Sequence, residues 1–553
     1  MKQKTAILAI FIISAISLFI FLYGTKNEAP MDDAYIGFEY IRNIKNNKGL
    51  VFNENQYTGI GASTILWYFI LASGLNIGIN EILFSKIIGI LSYFISVLCV
   101  FYLSKIFSSV LFKDYKQNLF VLFSTLFFSI SGNIIWFSIS GMETIMFISL
   151  LLMSLVFYLK EKKILLGIVL GLLTLTRLEG STMLLSMVII DIYNSKNRNK
   201  IFPYLFSFLI VVIPWLIFIY STTGNVFPTS FSGKRYTQIT AINKLTDNFP
   251  LISYITKNNL LLFLSTWTLY SFYFVFDGIN LPGITISTSK LLGIPYFNFS
   301  LIGLVVFLFF VIPLTFLGFR KIIQSKKNVN LKYKSHNIIV IFLLWIILHN
   351  ISYMVFLPTI GTTSRYQSMN HYLVWSIPLI GIIAIRNKKV MSLFLFLLVV
   401  LSVLNVIYWS NVYKANLTHI ENVRKQSAFF IRNTSTNKFA AHDIGVVKYY
   451  SSKTVVDLGG LIDKNFINFI KNDKVDDYLK NNNVTYLVLP GKHSTEEKPI
   501  YDFLEFLKLT NSTEKYRIKE IASFEIDFET WELGFEPTGN YLPSVKVYEI
   551  EWI

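Results

Sequence analysis

Cysteine is all but absent: the 553-residue chain has one, Cys99, set inside an apolar block. A disulfide framework and a cysteine-built metal cluster are thereby excluded, and redox chemistry has no carrier of that kind. Histidine is scarce at six residues, and charged residues make up only 15% of the chain against 53% hydrophobic and 16% aromatic. A soluble chain of this length needs far more charge to wet its surface, so the composition suits lipid as solvent. The net charge of +17 does not point to nucleic acid, because it is unevenly spread. Residues 410–553 hold 18 Lys/Arg against 20 Asp/Glu, a net of −2, which leaves +19 on the preceding residues. Much of that charge lies in short clusters between apolar blocks, the pattern that sets membrane topology.

Those apolar blocks are about 17 to 25 residues long, enough to span roughly 30 Å of hydrocarbon as helices whose backbone is satisfied internally. The basic clusters at Lys2/Lys4, Lys113/Lys116, Lys160/Lys162/Lys163, Lys196/Arg198/Lys200, Arg320 to Lys334 and Arg386/Lys388/Lys389 are expected in the cytoplasm. No A-x-A-like cleavage site closely follows residues 5–23, so that block reads as a retained signal anchor. Residues 24–62 then form a first outer loop and 82–107 the first return crossing. Residues 63–79, with Trp67 and Tyr68 and broken by Gly74 and Gly78, read as an amphipathic helix on the outer interface. Further crossings are expected at 118–139, 143–159, 164–177, 181–193, 201–220, 298–319, 337–357, 371–385 and 390–409, about 11 in all. A large outer loop spans 222–297, within which 259–277 lies on or dips into the outer face. The transmembrane domain thus covers 1–409, and residues 410–553 are expected outside as a small α/β domain. Its β-rich runs are Phe439–His442, Thr454–Leu458, Val484–Pro490 and Val545–Ile550, with a helical stretch at Asp502–Leu509.

This topology puts the unusual polar residues of the apolar part on one side: Asp32 and Asp33, Glu143, Arg177 and Glu179, Lys234, Arg235, Tyr236, Arg365, Tyr366 and His371. Charge at membrane helix ends is costly and faces a cavity or an opposite charge, so a shared side suggests a single site. A carboxylate in such a site can take the proton of an acceptor hydroxyl as its oxygen attacks an anomeric carbon. Arginine, lysine and tyrosine can neutralise a departing lipid phosphate, or an acidic pair can hold a divalent cation against it. Blander roles stand beside these. Asp32 and Asp33 can cap a helix, and Glu143 and Glu179 can pair with Arg177 to close a helix junction. Lys234 and Arg235 can be solvated or bind headgroups, and His371 can simply pack. His442-Asp443-Ile444-Gly445 copies four letters of a metal-phosphohydrolase signature, but the other ligands of such a site are not recognisable among six histidines. It reads instead as a loop at a strand end, where ligands often sit, with a structural role ahead of a catalytic one.

Met31–Asn43, followed by Gly49–Asn53 and a Tyr57-Thr58-Gly59 segment leading to Leu66-Trp67, resembles the first outer loop of the mycobacterial terminal arabinofuranosyltransferases and their bacterial relatives. Ser140–Thr144, Thr176–Gly180, Ala440–Tyr450 and Val456–Asp463 are similar to later motifs of that family. Two positions depart: Ala62–Ile65 replaces an Asn-Pro before the Leu-Trp pair, and Leu178 replaces a proline. The resemblance implies a C-type glycosyltransferase fold in the bacterial inner membrane, with an active site facing outward. It implies inverting transfer of a sugar, with a pentofuranose among the candidates, from a polyprenyl-phosphate donor to a glycan, lipid or protein hydroxyl. One of Asp32 and Asp33 would be the base. Arg177, Lys234, Arg235, Arg365 and Tyr366 are the expected donor-phosphate contacts, with Glu143, Glu179, His371, His442 and Asp443 in support. A transporter or flippase of lipid-linked sugars is the chief alternative, although no internal repeat supports it. A non-enzymatic receptor is the other.

Overall fold

The structure, a computed structural model, describes residues 3–54, 61, 64–193, 201–223, 233, 236, 307–325, 333–356, 365–463, 465–492, 503–510, 513–538 and 542–553. The expected interfacial segment 259–277 and the predicted site residues Lys234 and Arg235 lie outside them. In chain order the membrane part contains α1 (Gln3–Leu22), α2 (Asp32–Lys45), α3 (Ile65–Asn76), α4 (Glu81–Leu111), α5 (Tyr115–Ser129), α6 (Gly132–Ser138) and α7 (Thr144–Leu159). It continues with α8 (Lys163–Thr176), α9 (Ser181–Tyr193), α10 (Ile201–Thr223), α11 (Ile312–Ser325), α12 (Tyr333–Phe356), α13 (His371–Ala384) and α14 (Lys388–His419).

Among the described residues, Thr5–Leu22, Glu81–Leu111, Ile201–Ser221 and Lys388–Asn433 are long and apolar enough to cross a bilayer. The pair α5 and α6, bent by 54°, makes a fifth candidate, and shorter apolar helices such as α7 and α8 pack among them. The protein is a multi-pass membrane protein. Helices approach closely where glycine removes the side chain: a Cβ on Gly381 of α13 would lie 1.9 Å from the Leu314 carbonyl of α11. The reciprocal contact, Gly318 against the Ile377 carbonyl, leaves 2.1 Å, so both glycines are needed for this crossing. The expected amphipathic helix at 63–79 is not amphipathic. α3 is a 12-residue helix, far shorter than a span, that carries no charge and is apolar around its circumference. It buries Trp67, Tyr68, Leu71 and Leu75 and exposes Phe69, because it packs against α2, α4 and α8.

The last long helix does not stop at residue 409. α14 runs through a π-turn, Ile420–Arg424, directly into α15 (Lys425–Asn433), and the sheet begins five residues later. The C-terminal part contains β1 (Lys438–Ala441), α16 (Gly445–Ser451), β2 (Thr454–Asp457), α17 (Phe466–Lys471), α18 (Val475–Asn481), β3 (Tyr486–Gly491), α19 (Phe503–Phe506), β4 (Tyr516–Glu525), α20 (Phe528–Thr538) and β5 (Ser544–Trp552). The strand order is β2-β1-β3-β5-β4, with β2, β1 and β3 parallel and β5 antiparallel to both neighbours. β1 lies inside the sheet and is buried at Phe439, Ala440 and Ala441, as a strand covered on both faces requires. Its C-terminal end leads to His442 and Asp443 and points them, with the start of α16, at α2 of the membrane part.

Candidate active site

α2 starts at the acidic pair. Met31 is still extended, and Asp32 and Asp33 occupy the first helical turn, where carboxylates also suit the positive end of the helix. Adjacent positions on a helix face different ways, and the two side chains meet different surroundings. The Asp32 carboxylate is closed in: Oδ2 accepts from the Gly445 amide at 2.9 Å and Oδ1 from the Val446 amide at 2.8 Å. The Arg424 guanidinium lies 3.3 Å from Oδ1 and also donates to Asp443 at 2.5 Å. Burial pushes the Asp32 carboxyl above its ordinary range, with Arg424 opposing the shift and Asp443 adding to it. Burial acts the same way on Asp443, but Arg424 and His442 outweigh it and hold that carboxyl well below the usual range.

Asp33 is open. Its side chain is 31% exposed and accepts a hydrogen bond from Arg365 Nη2 at 2.9 Å. Arg365, by contrast, is only 3% exposed, and its Nε and Nη1 find no acceptor among the described residues. Two buried guanidinium nitrogens without a partner are costly, and an anion beside Asp33 would satisfy them.

Arg177 has no such vacancy. Nη1 donates to Glu143 at 2.6 Å, Nε to Glu179 at 2.5 Å and Nη2 to the Tyr353 hydroxyl at 3.1 Å. Tyr353 in turn donates to Glu179 and stacks on Tyr366, ring centroids 4.8 Å apart. Both guanidinium groups sit against the Tyr366 ring, Arg177 at 4.5 Å and Arg365 at 5.1 Å. Glu143 reaches this cluster because Trp67 Nε1 holds the Gly141 carbonyl at 3.1 Å, and Gly141, at φ +81°, lets the turn press on Ala34 and Phe38 of α2.

Glu143, Arg177, Glu179, Tyr366, Arg365 and Asp33 therefore form one continuous cluster. Asp32, Asp443 and His442 form a second, joined to the first where Asp32 meets Asp33. His371 belongs to neither: its Nε2 lies 2.9 Å from Ser131 Oγ, and Phe128 packs edge-on to its ring. Sequence reasoning missed Arg424 and Tyr353, although Tyr353 was findable as a polar residue near the end of an apolar crossing. Both Asp32 oxygens already accept a backbone N–H group, so any cation there would share them with the amides of Gly445 and Val446. Among the described residues, no cluster of three or more His, Cys, Asp or Glu could hold a metal ion.

A sequence profile for a domain of unknown function (DUF8728) matches residues 411–541. Among curated proteins, no sequence matches the chain. Among solved structures, the oligosaccharyltransferase AglB from Archaeoglobus fulgidus, in complex with an inhibitory peptide and a dolichol-phosphate, superposes with a TM-score of 0.51 at 12% identity. The match covers 88% of this chain and 70% of that one. The apo form of the A. fulgidus oligosaccharyltransferase gives 0.52 at 13% identity over the same shares. The chain has the fold of the archaeal oligosaccharyltransferase. ArnT from Cupriavidus metallidurans in the apo state scores 0.47 at 10% identity, covering 89% of this chain and 94% of that one. A C-type glycosyltransferase fold was expected from the sequence, and the structure has it.

Proposed function

We propose that the protein is an inverting glycosyltransferase that moves a sugar from a polyprenyl-phosphate carrier to a hydroxyl of a cell-envelope glycan, lipid or protein. The observation that carries this reading is the pairing of a solvent-reachable carboxylate, Asp33, with a buried arginine, two of whose nitrogens meet no acceptor among the described residues. Asp33 accepts the proton of the acceptor hydroxyl as that oxygen attacks the anomeric carbon. The bond from that carbon to the carrier phosphate breaks on the opposite face, inverting the centre, and Arg365 receives the charge that gathers on the phosphate. Tyr366 and the Arg177 junction hold Arg365 in place. The fold supports this assignment, since the archaeal oligosaccharyltransferase that shares it was solved with a dolichol-phosphate. A pentofuranose is the first sugar to try, on the strength of the first-loop motif. The distribution of the basic clusters supports a site on the extracytoplasmic face.

Purified protein offered a panel of labelled polyprenyl-phosphate sugars tests the class, with transfer and donor hydrolysis both scored. Turnover of one donor, with a product of inverted anomeric configuration, is expected. A folded protein that turns over no donor but moves it between the leaflets of proteoliposomes would instead be a flippase.

A further inference from the structure

The C-terminal domain does more than follow the membrane part in sequence. It grips α2 from Asp32 to Arg42. Near the start of α2, Tyr35 packs against Tyr449 and Tyr450 with ring centroids 5.1 and 5.9 Å away. At the far end, Arg42 lies 3.6 Å over the Tyr449 ring and, with the Tyr449 hydroxyl, binds Glu81. The loop after α2 is tied in as well: the Asn53 side chain donates to the Val455 carbonyl at 2.8 Å and accepts from the Val455 amide at 3.2 Å. Before α2, Glu28 receives Lys425 at 2.9 Å and Tyr450 at 2.6 Å.

The closest of these contacts is at Asp32. A Cβ on Gly445 would lie 2.1 Å from the Asp32 carbonyl oxygen and 2.9 Å from Oδ2, so α16 reaches the carboxylate only because residue 445 is glycine. Arg424 is 1% exposed and bridges Asp32 to Asp443, and Asp443 is held in turn by His442 Nδ1 at 3.0 Å. The π-turn at Ile420–Arg424 delivers that arginine from the end of a membrane helix, and such turns recur at functional sites. The residue so locked is the one immediately before Asp33. We infer that Arg424 and the amides of Gly445 and Val446 are positioning groups, contributed by the C-terminal segment, that fix Asp32 and thereby aim Asp33 at its substrate. This inference rests on Asp33 being the reacting carboxylate only for its effect on rate; the lock on Asp32 is a separate, measurable property. It also gives the His442-Asp443-Ile444-Gly445 motif a role, since three of its four residues build the lock or its support.

The test compares wild-type protein with Gly445→Ala, Arg424→Gln and Arg424→Lys, using Arg42→Ala as the control that loosens the same interface away from Asp32. Two quantities are read: carbodiimide labelling of Asp32 located by mass spectrometry, and kcat and KM for the polyprenyl-phosphate donor. Gly445→Ala and Arg424→Gln are expected to raise Asp32 labelling and to lower kcat roughly 100-fold with KM within about twofold, the cost of misplacing a reacting group. Arg424→Lys keeps a cation between two carboxylates and recovers part of both losses, while Arg42→Ala changes neither. If the wild type turns over a donor but Gly445→Ala and Arg424→Gln match Arg42→Ala in labelling and rate, the lock is wrong and the transferase reading stands. If the wild type turns over no donor yet both variants expose Asp32, the lock stands and the transferase reading falls. Should Gly445→Ala fail to fold, the two Arg424 variants decide alone.

Discussion

Two buried arginines border the same tyrosine ring and are used in opposite ways. At the junction between α8 and α9, Arg177 places all three of its nitrogens on Glu143, Glu179 and Tyr353. Ahead of α13, Arg365 is as deeply buried but gives one nitrogen to Asp33 and Tyr366 and leaves two without an acceptor among the described residues. A charge that is fully paired inside the chain holds structure together. A buried charge with donors that no described residue meets can receive a group that arrives. On the proposed function the junction is scaffold and the Arg365–Asp33 pair does the chemistry, although all five charged residues stand alike in an apolar chain.

Breaking the two regions separately sharpens the contrast. Arg177→Gln leaves Glu143 and Glu179 buried without a counter-charge and should destabilise the protein by about 3–5 kcal/mol, read as a large fall in thermal unfolding temperature in detergent. Arg365→Ala leaves only Asp33, which water can reach, so its unfolding temperature should fall much less. Its loss appears in binding instead: removal of a charge-assisted contact to the carrier phosphate should weaken polyprenyl-phosphate affinity about 10- to 100-fold. A variant set in which Arg177→Gln lost affinity and Arg365→Ala lost stability would reverse the assignment.

The smallest effect expected is on pH dependence. Asp443 is held below its ordinary range, so its contribution to stability is complete above about pH 4 and is lost as pH falls through its native value. Asp32 is held above its range, and its contribution has the opposite sign: it favours the folded state below about pH 4 and weakens as pH rises through its native value. Thermal unfolding followed from neutral to acid pH should therefore fall less steeply for Asp443→Asn than for wild type, and more steeply for Asp32→Asn. Identical slopes in all three would mean that the Arg424 bridge does not form.

What was legible in the sequence was largely what lipid makes expensive. Asp32, Asp33, Glu143, Arg177, Glu179, Arg365 and Tyr366 stand out against an apolar chain, and the fold brings them into contact. β1, β2, β3 and β5 were visible as β-rich runs because they are the buried strands. β4 was not, because Arg517, Lys519 and Glu520 interrupt the apolar positions of a largely exposed edge strand. Arg424 was hidden for a different reason. It lies among Glu421, Lys425 and Arg432, where a solvated helix is the natural expectation, and only the turn that buries it and the approach of α2 from some 390 residues away give it a role. His371 was singled out as a histidine near Arg365 in sequence, but α13 carries it away from the cluster toward Ser131. The amphipathic reading of α3 failed because aromatic residues and glycines suggested an interface, whereas the helix is surrounded by other helices on most of its face.

The choice between the two aspartates tests the account most directly. Donor turnover should be measured for Asp33→Asn and Asp32→Asn beside wild type, with donor binding checked in each. The account predicts that Asp33→Asn still binds donor and loses about 10²- to 10⁴-fold in kcat, the usual worth of a positioned general base, while Asp32→Asn loses less and keeps the same product stereochemistry. Wild-type turnover in Asp33→Asn, with Asp32→Asn inactive, would place the base on the enclosed carboxylate and contradict it.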